Sequence, residues 1–112
     1  MATDQITTAN LGDQIFGAAK NSFGPKFTQV KLFLKGESEK LAVTLRMIIE
    51  GRTSKELSQD EASILLNQQK IASSAVLTAV EGMSAVAVQA AISAALGVVK
   101  DFVNGKVGFA LL

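Results

Sequence analysis

The side chains able to do chemistry in this chain are few in kind. Its 112 residues include ten Asp plus Glu and eleven Lys plus Arg, but no Cys, His, Trp or Tyr. Without Cys there is no disulfide, thiolate zinc site or Cys nucleophile. Without His there is no Ser-His-Asp triad and no imidazole-ligated metal. Carboxylates and lysines remain as acids, bases and anion binders. Two carboxylate pairs stand close in sequence, Glu37/Glu39 and Asp60/Glu61. Both are read as helix-start residues, capping backbone N–H groups and meeting the positive helix end, rather than as acid/base couples. Gly12-xxxx-Gly17 and Gly105/Gly108 lack the Lys-Ser/Thr that a phosphate loop requires. Nothing in the pattern calls for a cofactor, a metal ion or a small-molecule substrate. A non-enzymatic role is expected.

Charge is distributed unevenly. Between Asp13 and Glu37 the only charges are Lys20, Lys26, Lys31 and Lys35, and Phe16, Phe23, Phe27 and Phe33 lie among or beside them. On an anionic membrane, Lys20, Lys26, Lys31 and Lys35 would meet headgroups while Phe23, Phe27 and Phe33 enter the interface. Nucleic acid is a weaker fit, because this stretch has no Arg and no nucleic-acid-binding motif around it. The plain alternative is Phe in the core and Lys in water. From Glu37 to Glu61 charges are dense and mixed. From Ala62 to Val99 only Lys70 and Glu81 are charged, and Gly82–Val99 is an uncharged run. Glu81 therefore needs a partner, water or a rim position. Lys70 lies eleven residues earlier, too far to touch it within one helix, so the two could pair only between neighbouring subunits.

Helices must position these groups. Leu11, Ile15, Ala18 and Ala19 predict a first helix over about 9–22, with Asn10 as N-cap. Gly24-Pro25 breaks it. Residues 26–35 fit either a helix (Phe27, Val30, Phe33/Leu34) or a strand (Val30, Leu32, Leu34). Helix is preferred because no second strand is evident. Gly36 is expected to interrupt and Ser38 to cap a following helix, which Gly51 ends as a C′ residue. Thr53-Ser54-Lys55-Glu56 and Ser58-Gln59-Asp60-Glu61 both match the capping box, and the second is the better. No Pro follows, so a long helix over about 59–103 is expected. It would bend at Gly82 or Gly97, or fold into two at Gly82, and Asn104-Gly105 would stop it. Straight, it would span about 65 Å.

That last segment is rich in small residues. Ala75, Ala79, Gly82, Ala87, Ala90, Ala91, Ala94 and Gly97 give small-xxx-small spacings that let helix backbones approach closely. The uncharged run just reaches the length of a membrane span, but it has polar Ser84, Gln89 and Ser93 and no aromatic belt. The upstream amphipathic helices of one short chain can cover only part of such a helix, so self-association is expected for the rest.

The expectation is one all-α domain: two or three short amphipathic helices, then the long Ala-rich helix. A polar arm spans 1–8, an amphipathic helical region 9–57, and the apolar helix and tail 58–112. The expected role is a self-assembling homo-oligomeric structural subunit, of virion, phage or filament type, with the C-terminal helix buried in the assembly or a bilayer. A membrane-active or pore-forming protein and a helical adaptor are the alternatives. The start of the chain does not read as a secretory signal peptide.

Overall fold

In a computed structural model, which describes residues 5–112, the chain is all-α. Four helices form: α1 (Leu11–Phe23), α2 (Phe27–Thr53), α3 (Gln59–Thr78) and α4 (Ala85–Val107). Of the polar arm, residues 1–4 lie outside the described region. Gln5–Asn10 is irregular and tied down by Arg46, which donates to the Thr8 carbonyl at 3.3 Å.

The buried residues of α1, Leu11, Ile15, Ala19 and Phe23, follow one another every four residues along a single stripe. Asn10 precedes the helix but does not cap it. Its side chain accepts from Thr7 N at 2.7 Å and donates to Gln5 O at 2.6 Å, closing the preceding turn instead. Gly24, at φ 56°, ends α1, and Pro25 sits in a single 3₁₀ turn that reverses the chain into α2.

Residues 27–35 are helical, and α2 departs from expectation at three glycine or serine positions. Gly36 does not interrupt it. Val30, Leu34, Leu41, Leu45 and Ile48 are buried on both sides of that glycine. Each such burial contributes roughly 1.5–3 kcal/mol. A helical glycine costs only about 1 kcal/mol, so the stripe wins. Ser38 and Glu37 consequently lie inside the helix and are buried, not at a helix start. Gly51 lies within the last turn rather than past it. Its carbonyl accepts from Glu56 N and Leu57 N, and Leu57 packs where a side chain on Gly51 would be, 2.9 Å from its Cβ position.

Thr53-Ser54-Lys55-Glu56 starts no helix. Ser54 Oγ donates to the Glu56 carboxylate, and Lys55 takes φ 63° in the connecting turn. The Ser58 box does form. Ser58 Oγ accepts from Glu61 N at 3.1 Å, and the Glu61 carboxylate accepts from Ser58 N at 2.8 Å. The Ser58 backbone bond, then its hydroxyl bond, hold the Glu61 carboxyl below its usual range.

The stretch 59–103 folds into two helices at Gly82, which takes φ 85°. Ser84 starts α4 by accepting from Ala87 N at 3.1 Å. The Lys26 ammonium reaches across from the start of α2 and donates to the Gly82 carbonyl at 2.9 Å. Asn104-Gly105 does not stop α4, because the buried stripe continues through Val103 and Val107. Gly108, left-handed at φ 83°, ends it. Asn104 instead holds the tail, accepting from Leu112 N at 2.9 Å and donating to Leu112 O at 3.3 Å.

Each connection reverses direction, giving an up-down-up-down bundle. It is flattened, 42 × 36 × 19 Å. α1 packs closely on both α2 and α4, while α3 leans on α2 and meets α4 only loosely. Arg52 ties the far end together. It donates to Val107 O at 3.2 Å and Leu57 O at 3.0 Å, and its guanidinium lies 5.4 Å from the Phe109 ring centre.

Candidate assembly surface

Of the eight small residues singled out in the last third, Ala91 alone is buried. Ala75, Ala79, Gly82, Ala87, Ala90, Ala94 and Gly97 are exposed. The close approach that their spacing permits is thus not made inside the chain. α4 turns Val88, Ile92, Leu96, Val99 and Val103 inward and leaves Val86, Ala90, Ala94 and Gly97 on its outer side. Val86 is 78% exposed and Val98 47%. A Cβ added at Gly97 would meet nothing within 4 Å. The bundle therefore does not require a glycine there, although a helix-interior glycine costs about 1 kcal/mol against alanine.

Between α3 and α4 runs an open trough of two connected lobes, about 400 and 540 Å³, sharing Asn67, Lys70 and Ser93. Leu66, Ile92 and Leu96 form its floor, and Leu111 and Leu112 close one end. Its lining side chains include two charges, Lys70 and Lys100, and no carboxylate. Short side chains at Ser63, Ser93 and Gly97 keep it open.

The basic, Phe-containing segment is divided between core and surface. Phe23 is buried. Phe27 is half-buried, packed edge-on against Phe16 with ring centres 5.6 Å apart, and the Lys20 ammonium sits 5.1 Å from its ring centre. Lys26 is taken by the Gly82 carbonyl. Lys31 and Lys35 share one exposed side of α2 beside Leu32, at 81% exposure, while Phe33 is exposed on the opposite flank. The seven residues do not form one surface.

Three features escaped the sequence reading. α2 has an outward ridge of Leu32, Gly36, Val43 and Met47, in which Met47 is 60% exposed. α3 exposes Ile64 and Ile71 on one side. The spacings i, i+4, i+11, i+15 on α2 and i, i+7 on α3 carried both signals, but each helix has apolar residues on several sides. The third is Glu37. Its side chain is buried, one carboxylate oxygen accepts from Lys40 Nζ at 3.0 Å, and the other has no partner among the described residues. Glu39 binds Arg46 at 2.9 Å, so the pair is split between two separate ion pairs. Glu81 is exposed and, like Lys70, makes no ion pair among the described residues.

No protein-family model, curated protein or solved structure matches the chain.

Proposed function

We propose that this chain is a non-enzymatic structural subunit that self-assembles, burying the outer side of α4 between copies as virion or filament subunits do. The observation that carries this reading is the half-covered state of α4. It has no charge from Ala85 to Val99, and its most apolar 18 residues have a mean hydropathy of 1.6. Yet 39% of that stretch is buried within the chain. Its uncovered side is small and apolar, which suits close helix-to-helix contact. The other helices add further outward apolar positions, on α2 and α3, so a copy has more than one place to meet its neighbours.

A second reading is insertion or contact with a membrane. The length and apolar character of Ala85–Val107 favour it, as do the exposed Lys31, Leu32 and Lys35 on one side of α2. Against it stand Ser93 and Gln89 on the exposed part of α4 and the burial of Phe23.

Sedimentation and light scattering with and without detergent and lipid separate the two. A self-assembling subunit gives large particles in plain buffer at micromolar concentration. A dilute and concentrated sample that both remain monomeric without detergent would sink the reading. Cosedimentation only with anionic vesicles would favour the membrane.

A further inference from the structure

We infer that the assembly contact is heterologous: the outward ridge of α2 on one copy lies along the trough and outer side of α4 on the next. This rests on the self-assembly reading and names the two surfaces that meet.

Each of the two surfaces is left uncovered by the bundle. The ridge Leu32–Gly36–Val43–Met47 has apolar side chains in water and no partner among the described residues. The trough between α3 and α4 has an apolar floor and no occupant in the chain. Laying an amphipathic helix into such a groove is a common recognition mode, with anchors at helical spacing.

Charge fixes the register. Lys35 and Glu50 flank the ridge, and neither makes an ion pair among the described residues. The α4 side offers the opposite signs. Lys100 lines the trough at one end, and Glu81 is exposed in the turn before α4 at the other; neither has an ion pair. Along α2, Lys35 and Glu50 are about 22 Å apart. With α2 of one copy parallel to α4 of the next, Glu50 opposite Lys100 puts Lys35 level with Ala85. That is the first residue of α4, beside the turn that carries Glu81.

The same register matches large residues to small ones without further adjustment. Met47 falls opposite Gly97, Val43 opposite Ser93, and Gly36 opposite Val86. Gly36, like Gly97, has open space where its side chain would be. Both glycines, which the bundle itself does not require, are then accounted for as seats for a neighbour's side chain.

The contact also predicts the form of the assembly. Within one copy, Lys26 touches Gly82 and Arg52 touches Val107, so an α2 residue is level with the α4 residue about 55 places on. The contact between copies uses an offset of 50. Successive copies are therefore parallel and staggered by about 7 Å along the helix axes. A stagger repeated in one sense gives an open helical filament rather than a closed ring.

Two complementary variants of the full chain test this. In the first, Gly97→Leu with Lys100→Ala blocks the trough side and leaves the ridge intact. In the second, Met47→Glu with Glu50→Lys disables the ridge and leaves the trough side intact. All four positions are exposed or carry no intrachain bond, and thermal melting checks that both variants fold. Each alone is expected to stay monomeric in light scattering and sedimentation where the native chain assembles. Mixed, they are expected to form a 1:1 heterodimer and nothing larger, because only one functional contact is present. If the native chain assembles and the ridge variant assembles equally well, the contact is not this one. A mixture that stays monomeric also overturns it. A native chain that never assembles overturns the self-assembly reading and this contact together.

Discussion

Two helix pairs in this bundle are built alike and close differently. α1 and α2 are antiparallel and joined by a short turn, as are α3 and α4. The first pair shuts because Gly12 faces α2. A Cβ there would run into the Glu39 carboxylate and come to 3.6 Å from Ala42 Cβ. The second pair stays apart. Its glycine, Gly97, faces open space, and Ser63 and Ser93 line a trough instead of a seam. A small residue in a helix thus marks close approach only when something arrives. At Gly12 the neighbour is in the same chain. At Gly97 it is absent from the chain, and on the reading above it is supplied by another copy.

The sharpest way to break this contrast is to fill both positions. Gly12→Leu places four carbons at the seam: the Glu39 carboxylate, the end of an exposed flexible side chain, can swing aside, but the carbons beyond Cβ crowd Ala42. Overpacking of this kind costs about 1–3 kcal/mol and, with the Glu39 carboxylate able to move, the lower half of that range is expected. Urea unfolding measures it. A variant as stable as the native chain would show that the seam is looser than the structure describes.

Gly97→Ala has the opposite sign. Alanine in an exposed helix interior gains about 0.5–1 kcal/mol over glycine. The gain is expected in the monomer, measured in the Met47→Glu, Glu50→Lys background so that assembly does not contribute. In the otherwise native chain the same change narrows the seat for Met47 and weakens assembly. Stability gained and assembly lost, in one substitution, separates a glycine kept for a neighbour from one kept for the fold. If the monomer is destabilised instead, Gly97 serves the bundle after all.

This distinction also sets how much was legible in the sequence. Helical character, the Gly24-Pro25 break, the Ser58 box and the fold at Gly82 rest on local rules, and local rules are written in neighbouring residues. Gly36 and Asn104-Gly105 misled because a buried stripe overrides a weak local breaker, and the depth of that stripe depends on packing between distant segments. Asn10 and Asn104 were recognised as polar punctuation, but their partners, the turn at 5–7 and the Leu112 backbone, are tertiary facts. The small-residue positions were legible as positions. Whether Ala91 faces in and Ala90 out is decided by where α1 lies, and spacing alone cannot say. The basic Phe segment failed as a surface for the same reason: Phe23 and Phe27 serve the α1–α2 corner, and only the Leu32–Phe33 portion is left outside.

The smallest expected effect concerns how the loose pair is held at all. With little packing against α4, α3 is held by Ala62, Leu66 and Leu77 against α2 and by its first turn: the Ser58 box, and Arg52 donating to both the Leu57 and Val107 carbonyls beside it. The box has a pH signature. Glu61 is held below its usual value by the Ser58 backbone N–H first and the Ser58 hydroxyl second. A carboxyl lowered in the folded state adds stability that is fully present above its unfolded value, near 4.5, and lost as pH falls through the lowered folded value. Glu61→Gln removes that contribution. The difference in stability between native chain and variant should be constant from neutral pH down to about pH 5 and close below 4.5. Amide exchange should localise the loss to the first turn of α3, since a cap acts on the turn it closes. In α1 and α2 no such pH-dependent difference is expected, because their seam is held by Gly12 and its apolar neighbours. A difference that persists unchanged to pH 3, or that appears equally in α1, would show that the two pairs are held by the same means.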